Sequence, residues 1–366
     1  MAARKFLALL LCALLFVPAA MIALSPDRTV SSFPDWASFR NGSAAERIEQ
    51  AVTEVFPGAH RLSDLTASIQ TALGRNQQNG CFYSEDGILV NLEEADSAIT
   101  QINLASLAFF AESTSTPCYF LLTPTAAAIE QGRIPDFALP SLFNQKQYIQ
   151  NCYGALSSRF RTIDGYGALF PHQEEYLYYR TESALTAAGC YYLYSGAGEK
   201  LGYAARTMDD FSVSHYDPDF LGSLAQLVPY SHVKADIVSC YQYKSPQHTV
   251  SLSPDPLRQP SRASLYDPQL TAFDQPLSIY LGSSAITDLS LTGVSNDKRL
   301  LVYTDGSCDA MFPLLATHYP YIRVVNLLQA DPRQLARIRP NGFDQVLFCF
   351  SVGTFGYDRT IGDQLA

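Results

Sequence analysis

Three strand-length segments near the C-terminus, at residues 300–303, 322–327 and 345–350, constrain the fold of this chain most. Their length and their share of β-branched, aromatic and leucine residues read as strands. The segments between them carry helical patterns at 310–318 and 332–337. Strand–helix–strand alternation of this kind builds a parallel sheet through right-handed crossovers. Residues 118–124, Cys-Tyr-Phe-Leu-Leu-Thr-Pro, form a continuous apolar run, which suits a strand buried on both faces, as in parallel sheets. The expected class is therefore α/β, a parallel sheet flanked by helices. Ligands of such sheets bind beyond the carboxyl ends of the strands, which directs attention to the turn Asp305-Gly306-Ser307.

Earlier segments are less regular. Ser43 has capping-box spacing to Glu46 and opens a helix through Ile48, Val52 and Val55 that Pro57-Gly58 stops. A second amphipathic helix carries Leu62, Leu65, Ile69 and Leu73 and closes at Gly74. Residues 79–83 and 86–90 read as short strands joined by a turn. A Tyr-rich strand is expected at 176–179, with a helical stretch starting at Glu182. Residues 245–275, rich in Ser, Pro, Asp and Gln, read as a long surface loop. A domain boundary there stays open, although the later strands are needed to complete the sheet.

The N-terminus sets the address. Arg4 and Lys5 precede an apolar run over residues 6–24, broken by Pro18 alone. At about 1.5 Å of rise per residue, a helix over this run nearly matches a hydrocarbon core of about 30 Å. Positive charge before the run favours an N-terminus that stays inside. A cleaved signal peptide competes, although its apolar region is usually shorter and Val17-Pro18-Ala19-Ala20 is a poor cleavage site. A buried core helix is the third reading. The first two both export the bulk of the chain. The expected organisation is a signal-anchor or signal peptide at 1–25, a tether at 26–42, and an α/β domain at 43–366. The expected location is the cell membrane, single-pass, with the domain outside the cytoplasm.

Composition excludes some partners. Lys plus Arg total 25 against 35 Asp plus Glu, a net charge of −10. No basic field exists to displace the counterions of a nucleic acid. Of eight cysteines, Cys12 lies in the apolar run. The rest are odd in number, lack metal-ligand spacing, and several fall in apolar strands, where free Cys packs as a small hydrophobe. No cofactor is implied.

Several ordered stretches carry a resemblance. Phe56-Pro57-Gly58-Ala59-His60, Gly74 and Asn79-Gly80-Cys81-Phe82 come first, followed by the strand at 118–124. Tyr178-Tyr179-Arg180-Thr181-Glu182-Ser183-Ala184-Leu185-Thr186 is next, then Phe220-Leu221-Gly222-Ser223 with Asp236-Ile237. Tyr280-Leu281-Gly282-Ser283-Ser284 and residues 300–322 complete the set. From about residue 55 onward, this order resembles the DHHW family, SGNH-hydrolase-like relatives of proteins that O-acetylate alginate. The resemblance implies an exported, often membrane-tethered protein with a Ser-His-Asp site for acyl esters of surface glycans. It also implies a cell-surface polysaccharide and a membrane-bound O-acyltransferase as partners.

The chain departs from the family where chemistry is expected. Its Asp-His-His-Trp becomes Glu182-Ser183-Ala184-Leu185, so alanine replaces the base. Gly306 takes the nucleophile's position, with Ser307 displaced by one, and Ser284 stands where the family has asparagine. Serine activation needs a base within hydrogen-bond reach. His172, His215 and His318 lack triad spacing, and His60, His232 and His248 fall on surface or irregular segments. The degenerate catalytic candidates are Glu182, Asp305 and Ser307. The ligand-binding candidates are Tyr179, Arg180, Gly282 and Ser284. Two readings follow: a non-catalytic relative that keeps the cleft, or an acyltransferase or esterase rearranged around Ser307.

Overall fold

The computed structural model describes residues 59–74, 76–228, 230–245, 249–254, 265–266, 276–294 and 296–366. The apolar run at 6–24, the tether and the helix expected from Ser43 lie outside the described residues. Among the described residues no helix is long and apolar enough to cross a membrane.

The chain divides into two units. The first contains helix α1 (Ala59–Ala72) and residues 230–231. Gly74 follows α1 at φ 70°, a left-handed backbone that suits the expected stop. The amide and hydroxyl of Ser231 donate to the Asp64 carboxylate at 2.7 and 2.8 Å. Leu65, Ile69 and Leu73 of the expected apolar stripe are exposed.

The second unit holds the sheets. Strands β1 (Gln77–Gln78), β2 (Cys81–Ser84) and β3 (Gly87–Val90) form an antiparallel meander. A seven-stranded sheet contains β4 (Cys118–Thr123), β5 (Phe160–Ile163), β8 (Thr249–Pro254) and β9 (Ile286–Thr292). It also contains β10 (Arg299–Thr304), β11 (Tyr321–Asn326) and β12 (Gln345–Ser351). Between β5 and β8 in the chain, β6 (Phe211–Phe220) and β7 (Asp236–Tyr243) pair as a separate antiparallel ribbon.

The large sheet has the order β5-β4-β12-β10-β11-β9-β8. Its first five strands run parallel, as the strand–helix alternation predicts. β9 and β8 then add an antiparallel edge. That edge corrects the wholly parallel expectation: β9 reverses direction beside β11, and part of the segment read as a loop at 245–275 forms β8 against it. β4 illustrates why the central strands lack alternation. Tyr119 and Leu121 enter one core, Cys118, Phe120 and Leu122 the other. Each full burial of a Leu or Phe contributes about 1.5–3 kcal/mol, which draws both faces of the strand inward.

Helices α2 (Ser97–Ser113) and α3 (Gln145–Leu156) cover the Phe120 face, and α4 (Ala187–Leu201) covers the Leu121 face. The 182–186 stretch is a loop, correcting the helix expected from Glu182. Thr186 is the N-cap of α4, accepting from the Gly189 amide at 3.2 Å. Residues 176–179 form no ladder beyond one bridge between Tyr178 and Leu185. The helix expected at 310–318 shortens to Met311–Leu315, after which the Thr317 hydroxyl takes the Leu314 carbonyl. All seven described cysteines are buried and free.

Candidate active-site cleft

The carboxyl ends of β4, β10, β11 and β12 open onto a cleft of about 770 Å³. Thr123, Thr304, Asn326 and Ser351 are its contributions from those strands. Glu182, Ser183 and Ala184, Gly222 and Ser223, Gly282 to Ser284, and Asp305 to Ser307 all line it. Four stretches far apart in sequence therefore meet in one place.

The Glu182 loop is held by two clasps. The first is Asp236 at the start of β7, which is fully buried. Its carboxylate accepts the amides of Arg180 and Thr181 at 2.6 and 2.8 Å, and the hydroxyls of Thr181 and Tyr176. A buried carboxylate is tolerated when donors saturate it in this way. Thr181 passes the constraint on: its hydroxyl accepts the Gly222 amide at 2.8 Å and its carbonyl the Leu224 amide at 2.9 Å. The second clasp is Glu182 itself. It accepts the amides of Ser183 and Ser223 at 2.8 and 2.9 Å and both their hydroxyls. Glu182 thus ties its own loop to the 222–223 loop.

The opposite wall is the turn after β10. Asp305 accepts the Ser307 amide at 3.0 Å and hydroxyl at 2.6 Å on Oδ1, and the Ser351 amide at 2.8 Å on Oδ2. Asp305 therefore orients the loop and joins the ends of β10 and β12. The Ser307 carbonyl accepts the Leu185 amide at 3.0 Å, which brings the two walls into register. Gly306 sits at φ 92°, a conformation L side chains rarely adopt. A Cβ there would lie 3.1 Å from Asn326 Nδ2.

Asp309 also lines the cleft. Its Oδ1 is buried and has no hydrogen-bond partner among the described residues. Burial, reinforced by the neighbouring Asp305 carboxylate, pushes its carboxyl up to about 8.

Two of the expected ligand-binding residues do not line the cleft. Tyr179 is buried, its hydroxyl bonded to that of Tyr280 at 3.0 Å and its ring edge-on to Phe220. Arg180 lies over the Tyr176 ring at 4.3 Å and donates to the Ala235 carbonyl at 3.3 Å. Gly282, at φ 83°, and Ser284 do line it. No histidine, lysine or arginine lines it among the described residues. His172 stacks on Tyr192, His215 bonds to Ser239, and His318 bonds to Tyr194. No group of three His, Cys, Asp or Glu among the described residues could hold a metal.

Asp236 and Thr181 are the residues that sequence reasoning leaves without a role. The available signal is an aspartate opening an apolar strand, since such a carboxylate is rarely buried without partners.

A mostly parallel sheet with its cleft beyond the strand ends defines an α/β protein. The family model described as DHHW protein matches residues 96–253. A DHHW family protein from Eubacterium siraeum DSM 15702 superposes with a TM-score of 0.65 at 19% identity, over 78% of this chain and 95% of that one. Bacillus cereus PatB1, in a structure bearing a sulfonyl adduct, superposes at 0.59 with 14% identity, over 76% and 97%. Over residues 96–253 the chain thus resembles the DHHW family, and it shares its fold with both structures. No curated protein matches the sequence.

Proposed function

We propose that this chain is an exported, membrane-tethered relative of polysaccharide O-acetylation proteins, and that its cleft binds a surface glycan without turning it over. One observation carries the reading. Ala184 and Gly306 stand where base and nucleophile are expected, while Asp236, Glu182 and Asp305 hold the loops around them by hydrogen bonds. Without an imidazole near the serine, proton transfer from its hydroxyl has no evident acceptor of suitable strength. The apolar run at 6–24 supports a tether, and a membrane-bound O-acyltransferase is the partner that would present the acetylated glycan.

The lining argues for the kind of sugar. Glu182 and Asp305 supply negative charge, and no described cation offsets it. Placing a uronate or phosphate beside them adds an uncompensated anion in a low-dielectric space. Ser183, Ser223, Ser283 and Ser284 offer hydroxyls, and Leu185 and Phe220 an apolar wall, a combination suited to a neutral sugar.

The second reading, an acyltransferase or esterase using Ser307, is favoured by its 2.6 Å bond to the Asp305 carboxylate. Incubating the full chain and its Ser307→Ala variant with an activated acetyl ester separates the two. Equal, background hydrolysis supports the binding role; turnover lost in the variant overturns it. Neutral oligosaccharides are expected to bind more tightly than uronate oligomers, and the reverse order would overturn the ligand class.

A further inference from the structure

Beneath the Asp305 turn lie two thiols with no part in the cleft. Cys308 and Cys349 are both 0% exposed, and their sulfurs lie 2.9 Å apart across 41 positions of chain. Cys349 sits on β12, in register with Thr304 at the end of β10, and Cys308 follows on the returning turn. The backbone around both is already fixed: Ser351 donates to Asp305, Leu185 to the Ser307 carbonyl, and Met311 to the Cys308 carbonyl. A disulfide bond is about 2.05 Å long, so these sulfurs need to close by less than about 1 Å.

We propose that Cys308 and Cys349 form a disulfide that staples the 305–308 turn to β12 and fixes the floor of the cleft. The inference uses the export reading for its oxidising compartment, where such bonds persist. Formation is a thiol–disulfide exchange with an oxidised dithiol protein or glutathione disulfide. Two S–H bonds break and one S–S bond forms. The two electrons reduce the partner's disulfide, whose two departing sulfurs take the two protons. The hydrogen bond with Cys349, then burial, pushes the Cys308 thiol well up, and burial pushes Cys349 up, so little thiolate exists once the chain has folded. The bond therefore forms during folding. Cys190 of α4 is the competing partner, since the amides of Ala310 and Met311 also point at its sulfur.

The test uses the full chain, refolded with a glutathione redox buffer and, separately, incubated folded with oxidised glutathione. Both samples are alkylated under denaturing conditions and digested without reductant. The expected result in the refolded sample is a peptide pair joining Cys308 to Cys349, lighter by about 2 Da than the two free peptides. Its melting temperature should fall by several degrees on reduction, and the Cys308→Ala/Cys349→Ala variant should show no such difference. Alkyl label on both cysteines in both samples overturns the proposal, as does a link from Cys308 to Cys190. Because the oxidant is supplied, failure here leaves the export reading standing.

Discussion

The Ser307 hydroxyl donates to Asp305 Oδ1 at 2.6 Å, and the other oxygen of that carboxylate holds the Ser351 amide. Ser307 thereby closes a turn between two strand ends. Ser307→Ala removes one of three bonds to a partly buried carboxylate. It should cost about 1.5–3 kcal/mol in denaturant unfolding, the usual net worth of a hydrogen bond to a charged group. Glycan binding should change little, and a large loss of binding would give the hydroxyl a direct part in recognition.

Asp236 holds the Glu182 loop from a position outside the cleft. Asp236→Ala leaves two amides and two hydroxyls without their acceptor. Removing one partner of a buried charged network typically costs about 3–5 kcal/mol. Unfolding midpoints should register that loss. Asp236→Asn should recover part of it, because one oxygen acceptor survives.

Gly222 makes a sharper local test. A Cβ there would meet the Thr181 carbonyl oxygen at 2.5 Å and Glu182 Cβ at 2.6 Å. Gly222→Ala should therefore destabilise by about 1–3 kcal/mol, as overpacking does, and weaken glycan binding by displacing Glu182. Gly342→Ala is the control, since nothing lies within 4 Å of its Cβ position. Equal melting of the two variants would refute the close approach.

Asp309 predicts a pH dependence. Its folded-state pKa, about 8, lies above the ordinary value of 3.8, so the folded chain binds the proton more tightly. Its contribution is fully present below the ordinary value and is lost as pH rises toward 8. Asp309→Asn keeps the shape without the charge. The variant should gain stability over wild type at pH 8, by about 1–3 kcal/mol, and show little gain near pH 4. A difference independent of pH would place the Asp309 carboxyl in a solvated setting.

Residues 118–124 are legible because a strand buried on both faces is apolar at nearly every position, and the three C-terminal strands because helical segments alternate with them. The ribbon of β6 and β7 escapes that logic: its exposed, polar residues such as Ser212, Asp219 and Gln242 carry no burial signal. Tyr176 to Tyr179 look like a strand because their residue types favour one. They are extended through a side chain, Asp236, that lies far off in sequence. The same distance explains Arg180, whose stacking on Tyr176 turns it from the cleft. Motif order brought Glu182, Ser284, Asp305 and Ser307 to one expected site, and the fold gathers all four around one cleft.

The central claim is that this cleft binds without an activated serine. A sulfonyl fluoride that modifies activated serines tests it most directly, read by intact mass and peptide mapping of the full chain. The account predicts no adduct on Ser307 under conditions that label a working serine hydrolase to completion. A sulfonyl adduct mapped to Ser307, and absent from Ser307→Ala, would contradict it.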